Sequence, residues 1–311
     1  MLRIGTRGSQ LARAQANWVR EQLAEAGHAA ELVIIQTHGD LLANASLPHI
    51  GGKGVFVKEL ENALLANEVD LAVHSLKDLP TELPEGLTIA AIPERVDPRD
   101  VICCRHRETF DSLAGKATLA TSSLRRRAQI LASRPDLQVI EVRGNLDTRL
   151  RKLAEGQFDA LALAAAGLIR MGWQDQISEY LAFDYCLPAP GQGAIAIQAR
   201  QDDPRSNAIL SGLEHAPSRA AVTAERAFLA AMGGGCLAPI GAVGIVNEQE
   251  LLLRGIVASS DGRRMLRDKL RGTVSEAAAL GAKLAEQLLA AGGAEILAAI
   301  SPPPNALDIA P

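Results

Sequence analysis

Two stretches of this chain repeat one order of elements, and that repeat narrows the possible folds more than any single residue does. Leu2–Thr6 is a short apolar run, followed by Ser9, a residue suited to capping a helix N-terminus. Leu11, Ala14, Trp18, Val19 and Leu23 then recur at helical spacing, and Gly27 is placed to stop the helix. Glu31–Thr37 reads as a second strand, Gly51-Gly52-Lys53-Gly54 leads into a helix over Val55–Asn67, and Asp70–Ser75 reads as a third strand. The order returns further on. Ala117–Thr121 is a strand, Ser123 caps a helix, and Gln138–Val142 is a strand. Asn145 caps a helix ending near Gly156, and Asp159–Leu163 is a strand. Strands alternating with helices imply parallel βαβ units with right-handed crossovers. Thr6-Arg7-Gly8-Ser9 aligns with Thr121-Ser122-Ser123, and Asp70-Leu71-Ala72-Val73 with Asp159-Ala160-Leu161-Ala162. Two similar α/β domains facing each other are expected.

Past Thr223 the pattern changes to a helix reaching Met232, then strands near Ala238–Val246, Glu250–Ser259 and Met265–Gly272, and a closing helix over Ser275–Ala291. This predicts a small α+β unit with an antiparallel sheet. Proline and glycine in Pro93–Arg99 and Pro188–Gly193 mark the crossings between the first two units. The expected division is 1–93 with 194–215, then 99–188, then 218–311. The 311 residues suffice for three such units, and with aromatics at only 3% the cores must be filled by Leu, Val, Ile and Ala.

In parallel α/β sheets, ligands bind at the carboxyl ends of the strands, where helix N-termini face the crevice. Thr6-Arg7-Gly8-Ser9, Ser75-Leu76-Lys77-Asp78, Thr121-Ser122-Ser123-Leu124-Arg125-Arg126 and Arg143-Gly144-Asn145 all fall at that edge. A helix cap beside a solvated charge explains any one of them. Four at corresponding edges point to an anion site, because hydroxyls, helix N–H groups and guanidinium forks all favour negative ligands. Arg125, Arg126, Arg127, Arg143, Arg149 and Arg151 crowd together in a chain whose net charge is −4, so a small polyanion in a cleft fits better than nucleic acid or an anionic membrane. Asp78, just past a strand and beside Lys77, could stabilise a cation or act as general acid. A turn aspartate before Leu79-Pro80 accounts for it equally well. Lys53 lacks the following Ser or Thr of a phosphate loop. His74 is expected to be a core histidine, and no metal-ligand spacing is present.

Cys236 lies in Gly233-Gly234-Gly235-Cys236-Leu237-Ala238-Pro239, a run that cannot continue a helix or central strand, so its thiol is expected on a turn. Cys103 and Cys104 sit in an apolar strand and are expected to pack. Four cysteines in a chain of this length form no disulfide framework. No apolar span reaches the roughly 20 residues needed to cross a bilayer. A cytoplasmic protein with reduced thiols is the expectation.

Taken together, these runs resemble the porphobilinogen deaminase family, also called hydroxymethylbilane synthases. The resemblance rests on Thr6–Ser9, Gly51–Gly54, His74-Ser75-Leu76-Lys77-Asp78-Leu79-Pro80, Thr121–Arg126, Arg143–Asn145, Pro188–Gly193, Thr223-Ala224-Glu225-Arg226 and Gly234-Gly235-Cys236, in order along nearly the whole chain. It implies two periplasmic-binding-protein-like domains and a transferase that joins four porphobilinogen molecules head to tail, releasing ammonia, to give hydroxymethylbilane for tetrapyrrole synthesis. It further implies a dipyrromethane cofactor held by a thioether to Cys236, and Asp78 as the catalytic carboxylate that stabilises an azafulvene cation. Lys77, Asp78, Ser123, Arg125, Arg126, Arg143 and Gly144 would contact the cofactor. Arg7, Ser9, Lys53, Phe56, Arg149 and Arg170 would contact substrate. A monomer that passes its product to uroporphyrinogen III synthase is implied as well. His49 and Leu237 depart from residues common in the family at those places. Two rivals from other classes are a two-domain anion-binding protein and a cysteine-nucleophile hydrolase, the latter lacking a histidine placed as its base.

Overall fold

The computed structural model describes residues 1–36, 57–233 and 238–300. The chain begins with β1 (Leu2–Thr6), β2 (Ala30–Ile34), β3 (Leu71–Ser75) and β4 (Leu87–Ala91). It then crosses to β5 (Asp100–Cys104), β6 (Thr118–Ala120), β7 (Gln138–Ile140), β8 (Ala160–Ala164) and β9 (Glu179–Tyr180), and returns as β10 (Ile195–Arg200). Two five-stranded sheets result, in the orders β2-β1-β3-β10-β4 and β7-β6-β8-β5-β9. A third, antiparallel sheet holds β11 (Ile240–Asn247), β12 (Glu250–Ala258) and β13 (Met265–Thr273).

The parallel pairing expected from the strand–helix alternation needs one correction. β1 is parallel to β2 and β3, and β6 to β7 and β8. In contrast, β10 is antiparallel to β3 and β4, and β5 is antiparallel to β8 and β9. Both antiparallel strands come directly after a crossing. A chain arriving from the neighbouring unit enters at the far end of the sheet and needs no helix to reach its slot. β10 is buried at all but its last position, so it shows no alternation by which periodicity could have found it.

Local signals hold where side chains cap helices. Ser9 accepts the Ala12 N–H and starts the helix Gln10–Glu25, and Gly27 leaves it at φ +83°. Ser123 accepts the Arg126 N–H and starts Leu124–Ser133. Asn145 precedes Leu146–Ala154 without a side-chain capping bond. The cores are aliphatic, with Phe110 and Phe228 their largest fully buried side chains. Cys103 and Cys104 are buried in β5, and burial pushes both thiols up to about 12, so they pack rather than react. In the third unit, helices Ala216–Ala231 and Ala277–Leu288 share a core with the antiparallel sheet. Gly281 permits their close approach, since a Cβ there would fall 2.2 Å from the Ala224 carbonyl oxygen.

Candidate active site

The carboxyl ends of β1, β3, β7 and β8 converge on a cavity of roughly 280 Å³ between the two α/β sheets. From the first unit, Arg7, Ser9 and Gln15 line it together with Ser75, Lys77 and Asp78. From the second come Arg126, Gly144, Arg149 and Arg170, and the returning crossing contributes Gln192 and Gly193.

Asp78 ends a single 3₁₀ turn, Leu76–Asp78, that follows β3. Leu76 and Leu79 are buried on either side, while Asp78 itself is exposed to the cavity. The turn is closed by the Leu79 N–H donating to the Leu76 carbonyl, and the Leu76 N–H donates to Ala194 at the start of the returning strand. Alternating apolar and polar residues thus anchor the backbone and present Lys77 and Asp78. Gln15 and Ser75 exchange hydrogen bonds of 2.8 and 3.2 Å, tying the first helix to the end of β3.

The cations are held differently. Burial lowers Lys77 to about 8, against the opposing effect of Asp78, and lowers Arg170 to about 10. Burial also lowers Arg149, with Arg126 adding to the effect. Arg149 donates to the Gly144 carbonyl at 2.8 Å, and Arg170 to the Gly193 carbonyl at 2.8 Å. Behind this wall lies Asp100, fully buried at the start of β5. It pairs with Arg125 at 2.5 Å and Arg126 at 2.8 Å. Burial alone would raise its pKa, but the two guanidinium groups outweigh that and hold it well below the usual carboxylate range. Gln192 links this group to the turn, donating to Asp100 at 2.8 Å and accepting from Lys77 at 3.3 Å.

Of the residues singled out in the sequence, Arg7, Ser9, Lys77, Asp78, Arg126, Gly144, Arg149 and Arg170 meet at the cavity. Three lie elsewhere. Ser123 caps its helix beside Arg126. Arg125 is turned inward to Asp100 and the Leu187 carbonyl. Arg143 is exposed and pairs with Glu141 at 2.9 Å. Lys53, Phe56 and Cys236 lie outside the described residues, as do His49 and Leu237. His74 is a core histidine, lowered to about 4 by burial. Among the described residues no group of His, Cys, Asp and Glu could hold a metal. Sequence reasoning passed over Asp100, Gln192 and Trp173, which lines the cavity beyond Arg170. An acidic residue opening the wholly apolar run Val101–Cys104 was the available signal for Asp100.

Among the described residues, five cationic side chains line the cavity against two carboxylates, Asp78 and Asp147. That donor set fits a ligand carrying several carboxylates on one small frame, as a dipyrromethane does.

Comparison with known proteins agrees. A family model described as the dipyrromethane-cofactor-binding domain of porphobilinogen deaminase matches residues 2–208, and one described as its C-terminal domain matches 219–290. A porphobilinogen deaminase from Brevibacillus brevis is 50% identical over 96% of this chain and 97% of its own. One from Geobacter metallireducens is 51% identical over 96% of this chain and 94% of its own. A periplasmic substrate-binding protein of an ABC transporter from Coxiella burnetii is a distant structural likeness, with a TM-score of 0.42 and 16% identity over 72% of this chain and 95% of that one.

Proposed function

The chain belongs to the porphobilinogen deaminase family, and from that premise we propose how its cavity carries the reaction. The activity is the head-to-tail joining of four porphobilinogen molecules, with loss of ammonia, into hydroxymethylbilane in tetrapyrrole synthesis. The observation that carries the assignment of roles is Asp78, a carboxylate facing a cavity whose other charged groups are mainly cations. The Asp78 carboxyl assists transfer of the amino group to solvent as ammonia and faces the positive charge left on the pyrrole nitrogen. Desolvated cations nearby bind the acetate and propionate groups and orient the ring for that transfer.

Lys77, Asp78, Arg126 and Gly144 would hold the dipyrromethane, with Ser123 setting the helix end and Arg143 meeting outer carboxylates next to Gly144. When bound, that group supplies a pyrrole carbon as the nucleophile. Arg125 contributes from behind, since together with Arg126 it neutralises Asp100 and fixes the wall. Arg7, Ser9, Arg149 and Arg170 would take the substrate carboxylates, joined by Lys53 and Phe56. Cys236 anchors the primer as a thioether, a bond that thiol–disulfide exchange does not reverse. The functional units are 1–93 with 194–215, 99–188 and 218–311. The protein acts as a cytoplasmic monomer and hands its product to uroporphyrinogen III synthase. Among the described residues no helix is long and apolar enough to cross a membrane.

Intact mass tests this reading. The purified protein is expected to exceed its sequence mass by two pyrrole units, and Cys236→Ser to carry no such addition. An unmodified wild-type mass that stays unmodified after incubation with porphobilinogen would contradict it.

A further inference from the structure

The run Thr223–Arg226 lies away from the cavity, on the helix Ala216–Ala231 that opens the third unit. Its Arg226 is half-buried, yet it reaches across to the first unit. One guanidinium nitrogen donates to the Leu79 carbonyl at 3.1 Å. The other donates to the Pro80 and Thr81 carbonyls at 2.7 and 3.2 Å. These are the three residues directly after Asp78. Burial, and secondarily Arg219, lowers the Arg226 pKa, so the cation is kept there at some cost.

The surrounding contacts aim the same way. Val222, one helical turn before Arg226 and on the same face, is buried in one cluster with Leu76 and Leu79. The helix therefore grips the catalytic turn by its apolar anchors and by its carbonyls. The neighbouring Glu225, fully buried, holds what touches the turn from the other side. It accepts from the Gly191 N–H at 2.6 Å and from Arg95 at 2.6 and 3.0 Å, so both crossings are fixed to it. It also accepts the Gly244 N–H of β11 at 2.7 Å. Gly191, at φ +77°, packs so tightly that a Cβ would sit 3.0 Å from Leu76 and 3.3 Å from the Lys77 nitrogen.

We infer that Arg226 is a positioning residue for Asp78: the third unit, besides carrying Cys236, sets where the catalytic carboxylate stands. The inference rests on the assignment of Asp78 above. Three successive carbonyls call for a planar fork with several fixed donors, which lysine does not have.

The test uses the full-length, cofactor-loaded protein with Arg226→Met and Arg226→Lys, measuring kcat, KM and amide hydrogen exchange. In Arg226→Met, exchange across residues 76–82 is expected to quicken by about 10-fold or more while the sheet cores keep their protection. A displaced carboxylate should lower kcat by roughly 10-fold or more, with KM changed by less than about 3-fold. Arg226→Lys should fall between Met and wild type. Wild-type exchange at 76–82, or wild-type kcat despite faster exchange, overturns the inference. If Arg226→Met does not fold, Arg226→Lys decides by the same two readouts. Asp78→Asn separates the two claims, because normal turnover there defeats the carboxylate assignment and leaves the exchange result to stand or fall by itself.

Discussion

At the end of β3 the first α/β unit presents Ser75-Leu76-Lys77-Asp78, and at the matching end of β8 the second presents Ala164-Ala165-Ala166-Gly167. One exit is a charged 3₁₀ turn and the other the start of an apolar helix. The helices after the first strands differ in the opposite sense. The first unit begins Gln10-Leu11-Ala12, and the second begins Leu124-Arg125-Arg126, backed by buried Asp100. Matching strand orders therefore bring matching positions to one cavity, and the residues at those positions differ in charge. Asp78 lies on one wall, and most of the arginines, with Asp147 among them, lie on the other. Fold symmetry decides where groups meet; the departures from symmetry decide what they do.

That division can be broken from either side. Asp78→Asn removes the acid alone and is expected to lower kcat by about 10²–10⁴ with an unchanged melting temperature. A loss of stability with little loss of turnover would move Asp78 from the chemical wall to the structural frame. Asp100→Asn attacks the other wall. It leaves buried Arg125 and Arg126 without their counter-charge, and urea unfolding should show a loss of about 3 kcal/mol. A carboxylate held below its ordinary 3.8 stabilises the fold above that value and loses the contribution as pH falls towards its folded value. Wild-type stability should accordingly decline more steeply in acid than that of Asp100→Asn. Equal slopes would mean that the two arginines do not hold Asp100 ionised.

The smallest effect concerns Lys77, a cation on the same wall as Asp78. Burial lowers it to about 8, and dipyrromethane carboxylates held against it would raise that value, so any fall in kcat/KM for porphobilinogen that Lys77 causes should set in above pH 8, by roughly 10-fold per unit at most. Lys77→Arg stays charged and should flatten that limb. A limb that survives the substitution would belong to another group.

Much of this was legible in the chain because it is local. Ser9 and Ser123 cap the helices whose starts they mark, and the charged strand exits reach the cavity because parallel strands end together. What escaped is non-local. β10 pairs with strands more than a hundred residues earlier, and nothing within its uniformly buried run declares a partner. Asp100 looks like one more acid in the crossing Asp97–Asp100. Its character comes from Arg125, Arg126 and Gln192, placed 25, 26 and 92 residues away. Arg125 was readable as basic at a helix N-terminus, but not as facing inward, because the orientation depends on that same buried carboxylate. Arg226 looks like an ordinary helix arginine until the turn it holds is seen.

Asp78 and the primer are proposed to be separate parts of one site, so that removing the first leaves the second in place. Intact mass of Asp78→Asn, recorded before and after mixing with a few equivalents of porphobilinogen, tests this directly. The variant should already carry the two-pyrrole addition and should gain no further units, while wild type shows a ladder of added units. A variant that climbs the same ladder at the wild-type rate would contradict the claim.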